Sequence, residues 1–483
     1  MTMIAKKFPS AALIDGEWVA SPKTFPVTDP ATGAEIAAVP NLGAADATRA
    51  IDAAARAFPA WSAKTAKERA AILRRWFDLV TAETESLAQL MTTEQGKPLA
   101  EARAEVAYGA SFIEWFAEEG KRAYGRTIPT TFASKRYLTI KQPIGVVAAI
   151  APWNFPIAMI TRKVGPALAA GCTVVVKPAA ETPLCALAVA KLGMDAGLPP
   201  GVLNIVTTKD APAVGKVFCD DPRVRKLSFT GSTEIGKLLY RQCAGTVKKL
   251  TLELGGNAPL IVFDDADLGQ AVAGTMASKY RNAGQTCVCA NRIFVQSGIY
   301  DRFAAALVDA VKKLSVGPGM ESGTQIGPLI SQEAIAKVET LMGDAVKKGA
   351  KVLTGGELDK AGPLFYRPSV VGDVAPSMSI VREEIFGPVA ALIRFDTEEE
   401  AIRLANDTPF GLAAYLFSRD LSRAWRVAEK IDAGMVGVNE GIFSNEVVPF
   451  GGVKESGLGR EGAAEGLDEY LEIKYLCLGA IDA

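Results

Sequence analysis

The sequence predicts an α/β protein of two or three domains, built on parallel sheets covered by helices. Three observations carry this. The chain has 483 residues, too many for one compact core. From Ile144 onward, short apolar runs alternate with helical patterns at the spacing of βαβ units. Hydrophobic residues make up 49% of the chain and charged residues 22%, an ordinary globular composition.

In chain order, a small hairpin is expected around Asp15-Gly16. Helical periodicity then runs through 44–57, 67–94 and 99–120, with Gly96 and Pro98 as punctuation. Residues 136–141 alternate like a strand. Strand-like runs follow at 145–150, 173–177, 202–206 and 226–230, separated by helical patterns at 157–170, 183–196, 212–219 and 233–242. Such a series more often than not binds a nucleotide. A second βα series is expected from near Leu250 to about Val438. The terminal run 469–478 alternates again. A long alternating strand at a terminus is an exposed edge unless paired, so it is expected to join another subunit.

Net charge is −1, which offers no basic surface to nucleic acid. The apolar stretch from Ile144 to Ile160 is interrupted by Pro152, Trp153, Asn154 and Pro156 and cannot span a bilayer as one helix. Residues Met1 to Phe8 hold two lysines but no apolar run of signal-peptide length follows. Seven cysteines without a regular framework read as reduced thiols, giving a cytoplasmic expectation.

The chain has no histidine. That excludes His-ligated zinc and Ser-His-Asp hydrolysis, and no metal site is expected. Cys287, in Arg281-Asn-Ala-Gly-Gln-Thr-Cys287, lies in a Gly- and Asn-bearing loop after a helix. Without an imidazole, a nucleophilic thiol there needs another base, and Glu253 in Leu252-Glu-Leu-Gly-Gly-Asn257 is the candidate. Pro152-Trp-Asn-Phe-Pro156 holds Asn154 in a rigid loop, where its amide serves either as an oxyanion donor or simply as a turn former. Phe229-Thr-Gly-Ser-Thr-Glu-Ile-Gly236 follows a strand and opens a helix, either a pyrophosphate cradle or a capping turn. Lys177 ends a strand that faces a ligand crevice, though a lone lysine is usually solvated. Glu384-Ile-Phe-Gly-Pro388 and Pro449-Phe-Gly-Gly452 are further Gly/Pro loops.

Taken together, in this order and spacing, these motifs resemble the aldehyde dehydrogenase superfamily over essentially the whole chain. The resemblance implies a Rossmann-type dinucleotide domain (1–121 and 143–250), an α/β catalytic domain (251–445) and a small β oligomerisation arm (122–142 and 446–483). It implies that the Cys287 thiolate attacks an aldehyde, that Asn154 and the cysteine's own N–H hold the oxyanion, and that hydride passes to a nicotinamide. Glu253 then activates water on the thioester. An NADP or NAD site is implied at Trp153, Lys177, Ala180, Gly215, Thr230, Gly231, Ser232, Leu254, Glu384 and Phe386. NAD-strict members often carry glutamate where this chain has Ala180, so NADP should be accepted, although Glu181 restores part of the repulsion.

Met159-Ile-Thr-Arg-Lys163, Tyr280 to Cys289 and Asn439-Glu-Gly-Ile-Phe-Ser-Asn445 are closer to succinate-semialdehyde and glutarate-semialdehyde dehydrogenases. There Arg162, Arg281 and Ser444 bind the carboxylate at the far end of the substrate, a task suited to a planar guanidinium. A longer carboxylate or a sulfonate, as in sulfolactaldehyde, meets the same groups. A homodimer or homotetramer is implied. Cys289, two residues past the nucleophile, is a candidate for an oxidative Cys287–Cys289 link. Two other classes compete: a cysteine acyltransferase or amidase, and a non-catalytic structural member of the fold.

Overall fold

The computed structural model describes residues 7–481; the stretch Met1–Lys6, on which most of the signal-peptide reading rests, lies outside them. An eight-stranded sheet forms the first layer, in the order Glu17–Val19, Ala12–Ile14, Leu203–Ile205, Thr173–Lys177, Val146–Ile150, Val224–Thr230, Lys249–Glu253, Gly457–Leu458. The five strands from Leu203–Ile205 to Lys249–Glu253 are mutually parallel, and the flanking ones are antiparallel. Side chains alternate between faces along each strand. Val147 and Ala149 therefore enter one core with the helices Ala158–Ala170 and Pro183–Asp195, while Val146, Ala148 and Ile150 enter another with Val214, Phe218 and Leu239.

Two expectations need correction. The strand near Leu250 does not open the second series: Lys249–Glu253 pairs in parallel with Val224–Thr230 and so extends the first sheet. The helix expected over 67–94 is two helices, Ala66–Ala82 and Thr84–Gln95, which meet at Glu83. The Thr84 hydroxyl donates to the Thr81 carbonyl at 2.6 Å, a local bond that competes with the helical ladder. The C-terminal strand Leu471–Leu478 already has a partner in its own chain, pairing along its length with Arg136–Pro143 in a three-stranded antiparallel sheet. One edge of it remains open, with Ile473 63% and Tyr475 55% exposed.

The second series forms a seven-stranded sheet in the order Lys351–Thr354, Ser369–Gly372, Val389–Phe395, Ala290–Gln296, Ala258–Val262, Ala413–Phe417, Met435–Val438, parallel except at the Lys351–Thr354 edge. In the first sheet, strand order reverses between Val146–Ile150 and Val224–Thr230. Open α/β sheets bind ligands at the carboxyl ends of strands at such a switch point. The loops leaving those two ends are Pro152–Asn154 and Gly231–Ser232. Among the described residues no helix is long and apolar enough to cross a membrane.

Candidate active site

The segment before Cys287 is shaped by backbone that few residues adopt. The helix Leu268–Tyr280 ends, and Asn282, Ala283 and Gly284 follow with φ of 51°, 53° and 75°. Consecutive left-handed residues, two of them not glycine, persist only where the surroundings hold them. Here Asn282 N–H donates to the Glu101 carboxylate at 2.8 Å, and its Nδ2 donates to the carbonyl of Asn154 at 3.1 Å. Gln285 Nε2 donates back to Asn282 O at 3.1 Å, and Gln285 Oε1 accepts from Ile330 N–H at 2.9 Å. A Cβ on Gly256 would lie 2.4 Å from the Cys287 carbonyl oxygen, so only glycine lets the 253–257 turn close on the nucleophile loop.

Cys287, half-buried, opens on a cavity of about 290 Å³. Nine of the residues expected in the site line it: Trp153, Asn154, Thr230, Gly231, Ser232, Leu254, Cys287, Glu384 and Phe386. Asn154 is anchored twice. Its Nδ2 donates to Gln285 O at 3.0 Å, and its own carbonyl accepts from the buried Lys97 Nζ at 2.8 Å. An amide carries two N–H groups, so one remains for a ligand. Phe386, itself left-handed at φ 54°, sets its ring edge-to-face on Trp153 at 5.6 Å.

One end of the cavity suits an anion. Ser232 caps the eleven-residue helix Thr233–Cys243, its Oγ accepting from Ile235 N–H at 3.4 Å, and the helix N-terminus favours an anion. Glu384 Oε1 accepts from Gly256 N–H at 3.2 Å; burial raises its pKa to about 7. Lys177 is buried, its Nζ donating to Pro178 O at 3.0 Å, and burial lowers its pKa. It does not line the cavity beside Cys287, nor does Gly215. Ala180 and Glu181 border a separate cavity of about 150 Å³ together with Glu94 and Lys209.

Glu253 lies at the carboxyl end of its strand, 2% exposed, and neither carboxylate oxygen has a hydrogen-bond partner among the described residues. Burial raises its pKa well above the ordinary carboxylate range, and the nearby Glu461 charge adds to this; Arg162, Lys163 and Arg460 oppose. Burial likewise pushes the Cys287 thiol up to about 12, with Glu384 adding and Arg162 opposing. Burial thus biases both groups toward their protonated forms, and thiol deprotonation or water activation calls on the carboxylate form of Glu253.

None of the three tail candidates lines the 290 Å³ cavity. Arg162 is 1% exposed and ion-paired with Glu461, Nε to Oε2 at 3.1 Å. Arg281 is half-buried, its guanidinium 5.3 Å over the Phe155 ring. Ser444 is half-buried in the segment after Met435–Val438. Cys289 is buried, its thiol donating to Lys279 O at 3.3 Å. Sequence reasoning missed Met159 and Lys337, which line the cavity, and it missed Lys163 and Glu461 behind Glu253. Met159 and Lys163 had been read only as parts of a motif. Lys337 and Glu461 look like solvated helix and loop charges in sequence. Among the described residues, no group of three or more His, Cys, Asp or Glu side chains is placed to hold a metal.

Comparison with known proteins places this geometry. The aldehyde dehydrogenase family model matches residues 18–476. The chain is 60% identical over 474 residues to the NADP(+) succinate-semialdehyde dehydrogenase of Escherichia coli K12, covering 98% of each chain. It is 59% identical over 476 residues to the glutarate-semialdehyde dehydrogenase of Pseudomonas putida KT2440, again 98% of each. The crystal structure of succinate-semialdehyde dehydrogenase from Burkholderia pseudomallei superposes with a TM-score of 0.97 at 61% identity, covering 98% of each. The acyltransferase and non-catalytic alternatives fall away, and the chain is an enzyme belonging to the aldehyde dehydrogenase family.

Proposed function

We propose that this protein oxidises an anionic semialdehyde, succinate semialdehyde first, to the corresponding acid with NADP or NAD. The observation that carries the reading is the convergence of Cys287 and Asn154 with the capped helix at Ser232 on one cavity. The nicotinamide cofactor, when bound, supplies the hydride acceptor. Trp153, Thr230, Gly231, Ser232, Leu254, Glu384 and Phe386 would hold it, with Lys177 and Gly215 toward the adenosine end. Ala180 in place of a carboxylate supports use of NADP.

Cys287 Sγ, once deprotonated, bonds to the aldehyde carbon, and the carbonyl oxygen becomes an alkoxide. The free N–H of Asn154 and the backbone N–H of Cys287 stabilise that charge, a contribution of about 3–4 kcal/mol for a preorganised donor. Loss of hydride from the same carbon restores the C=O bond and leaves a thioester on Cys287. Glu253 takes a proton from water, the resulting oxygen nucleophile displaces the thiolate, and the acid departs. Arg162, Arg281 and Ser444 read the tail. The similarity to a glutarate-semialdehyde dehydrogenase favours the five-carbon homologue as second substrate; a sulfonate tail meets the same cations.

We read the three-stranded arm and the open edge of Leu471–Leu478 as the contact between copies in a homodimer or homotetramer, since the exposed Ile473 and Tyr475 gain by burial. Light scattering on the eluted protein at micromolar concentration tests this: a monomer contradicts it. The substrate reading is tested by kcat/KM for succinate semialdehyde, glutarate semialdehyde, sulfolactaldehyde and butanal, each with NADP and NAD. The anionic aldehydes should exceed butanal by at least about tenfold. Equal values would remove the tail assignment while leaving the dehydrogenase.

A further inference from the structure

Arg162 is held at one end and free at the other. Its Nε lies 3.1 Å from Glu461 Oε2. Its guanidinium carbon sits 3.9 Å above the Phe450 ring and 5.3 Å from the Phe112 ring. Nε, Nη2 and Glu461 Oε2 make no hydrogen bond among the described residues, so the Arg162–Glu461 contact is an ion pair. Nη1 lies 3.9 Å from the sulfur of Met159, and Met159 lines the main cavity. One thioether side chain, the most adaptable of apolar groups, therefore touches both the guanidinium and the substrate space.

The clamp is built as a unit. Phe450 and Glu461 are partners in an antiparallel bridge, Phe450 N–H donating to Glu461 O and Glu461 N–H to Phe450 O, each at 2.8 Å. The ring over Arg162 and the carboxylate beside it are thus delivered by the same two hydrogen bonds. Glu461 is pinned again through Oε1, which accepts from Lys163 Nζ at 2.6 Å, and that ammonium also donates to Thr230 Oγ1 at 2.6 Å. A guanidinium offers five N–H donors in a rigid fork. The ion pair at the Nε edge and the ring under one face restrict the direction of the remaining edge. A buried cation with no carboxylate beside it would be expensive to keep.

We infer that Glu461, with Phe450, is a positioning residue for substrate selection, holding Arg162 preorganised as the receptor for the anionic tail. The inference rests on the anionic-aldehyde reading above. It assigns selection to a residue that need not touch substrate, and it predicts that tail recognition fails when the tether is cut although Arg162 is intact. Glu461 leaves a second signature. Arg162 and Lys163 face Glu253 from the helix Ala158–Ala170, Arg460 and Glu461 from the C-terminal segment, and Cys287 from its loop. Removing the Glu461 charge should therefore move the acid limb of the kcat profile to lower pH.

The test is kcat/KM of the full-length enzyme for succinate semialdehyde and for butanal in wild type, Glu461→Gln, Arg162→Met and the double variant. Glu461→Gln should lower the anionic-to-neutral ratio by at least about tenfold, through KM. In the Arg162→Met background the same change should leave the ratio where Arg162→Met set it. A wild-type ratio in Glu461→Gln beside a lowered ratio in Arg162→Met overturns the inference and spares the tail reading. An unchanged ratio in Arg162→Met overturns both. Should the glutamine variant fold poorly, Glu461→Asp keeps the charge but loses the reach. It should give a smaller fall in the ratio, and an unchanged ratio there equally overturns the positioning role.

Discussion

Asn154 Nδ2 donates to the Gln285 carbonyl at 3.0 Å, two residues before Cys287. The bond joins a loop at the switch point of the first sheet to the loop that carries Cys287, so the amide proposed as oxyanion donor and the sulfur proposed as nucleophile are held in register by one contact. Asn154→Ala removes the donor and leaves the Gln285 carbonyl without it. The expected result is a fall of about 10²–10³ in kcat at saturating aldehyde. A loss smaller than tenfold would mean that the amide only shapes the loop.

Burial holds the Cys287 thiol near a pKa of about 12, and only the thiolate alkylates. The rate of iodoacetamide modification of the free enzyme should therefore climb about tenfold per pH unit from pH 7 to pH 9 without levelling off. A plateau below about pH 8.5, the ordinary cysteine value, contradicts the burial effect.

Glu253 is raised, so its base form exists only above that raised pKa and is lost as pH falls through it. Deacylation should be slow at pH 5 and accelerate toward neutrality, whereas an ordinary glutamate near about 4.3 would already be ionised. Single-turnover deacylation followed from pH 5 to 8 reads this directly. A rate flat between pH 5 and pH 7 would show that the carboxylate is not raised.

Ala180 gives the cofactor test. A glutamate there puts a carboxylate where the resemblance places the ribose hydroxyls, so Ala180→Glu should raise KM for NADP relative to NAD by about tenfold or more through like-charge repulsion. Equal shifts for the two cofactors would move the 2′-phosphate away from this position.

The βα alternation was legible because a parallel sheet buried on both faces writes itself as short apolar runs, as in Val146–Ile150 and Thr173–Lys177. Cys287 and Asn154 could be singled out because each sits in a loop whose glycines or prolines mark special backbone, and Glu253 because it ends a strand just before Gly255 and Gly256. Other features left no local trace. The Lys249–Glu253 strand reads the same whichever sheet it joins, since only its register with Val224–Thr230 decides the matter. At the break beside Glu83 the Thr84 hydroxyl donates to the Thr81 carbonyl, a bond that no periodicity records. Lys163 and Glu461 are 298 positions apart, and a pair so distant has no periodicity to read.

The proposed mechanism passes through a covalent acyl enzyme at Cys287, hydrolysed by water that Glu253 activates. The most direct measurement is intact-mass and peptide-mapping mass spectrometry of Glu253→Gln mixed with succinate semialdehyde and NADP, quenched in acid. The expected result is one succinyl group per chain, on the peptide bearing Cys287, with stoichiometric formation of NADPH. NADPH formation without any adduct, or an adduct on another residue, would contradict it.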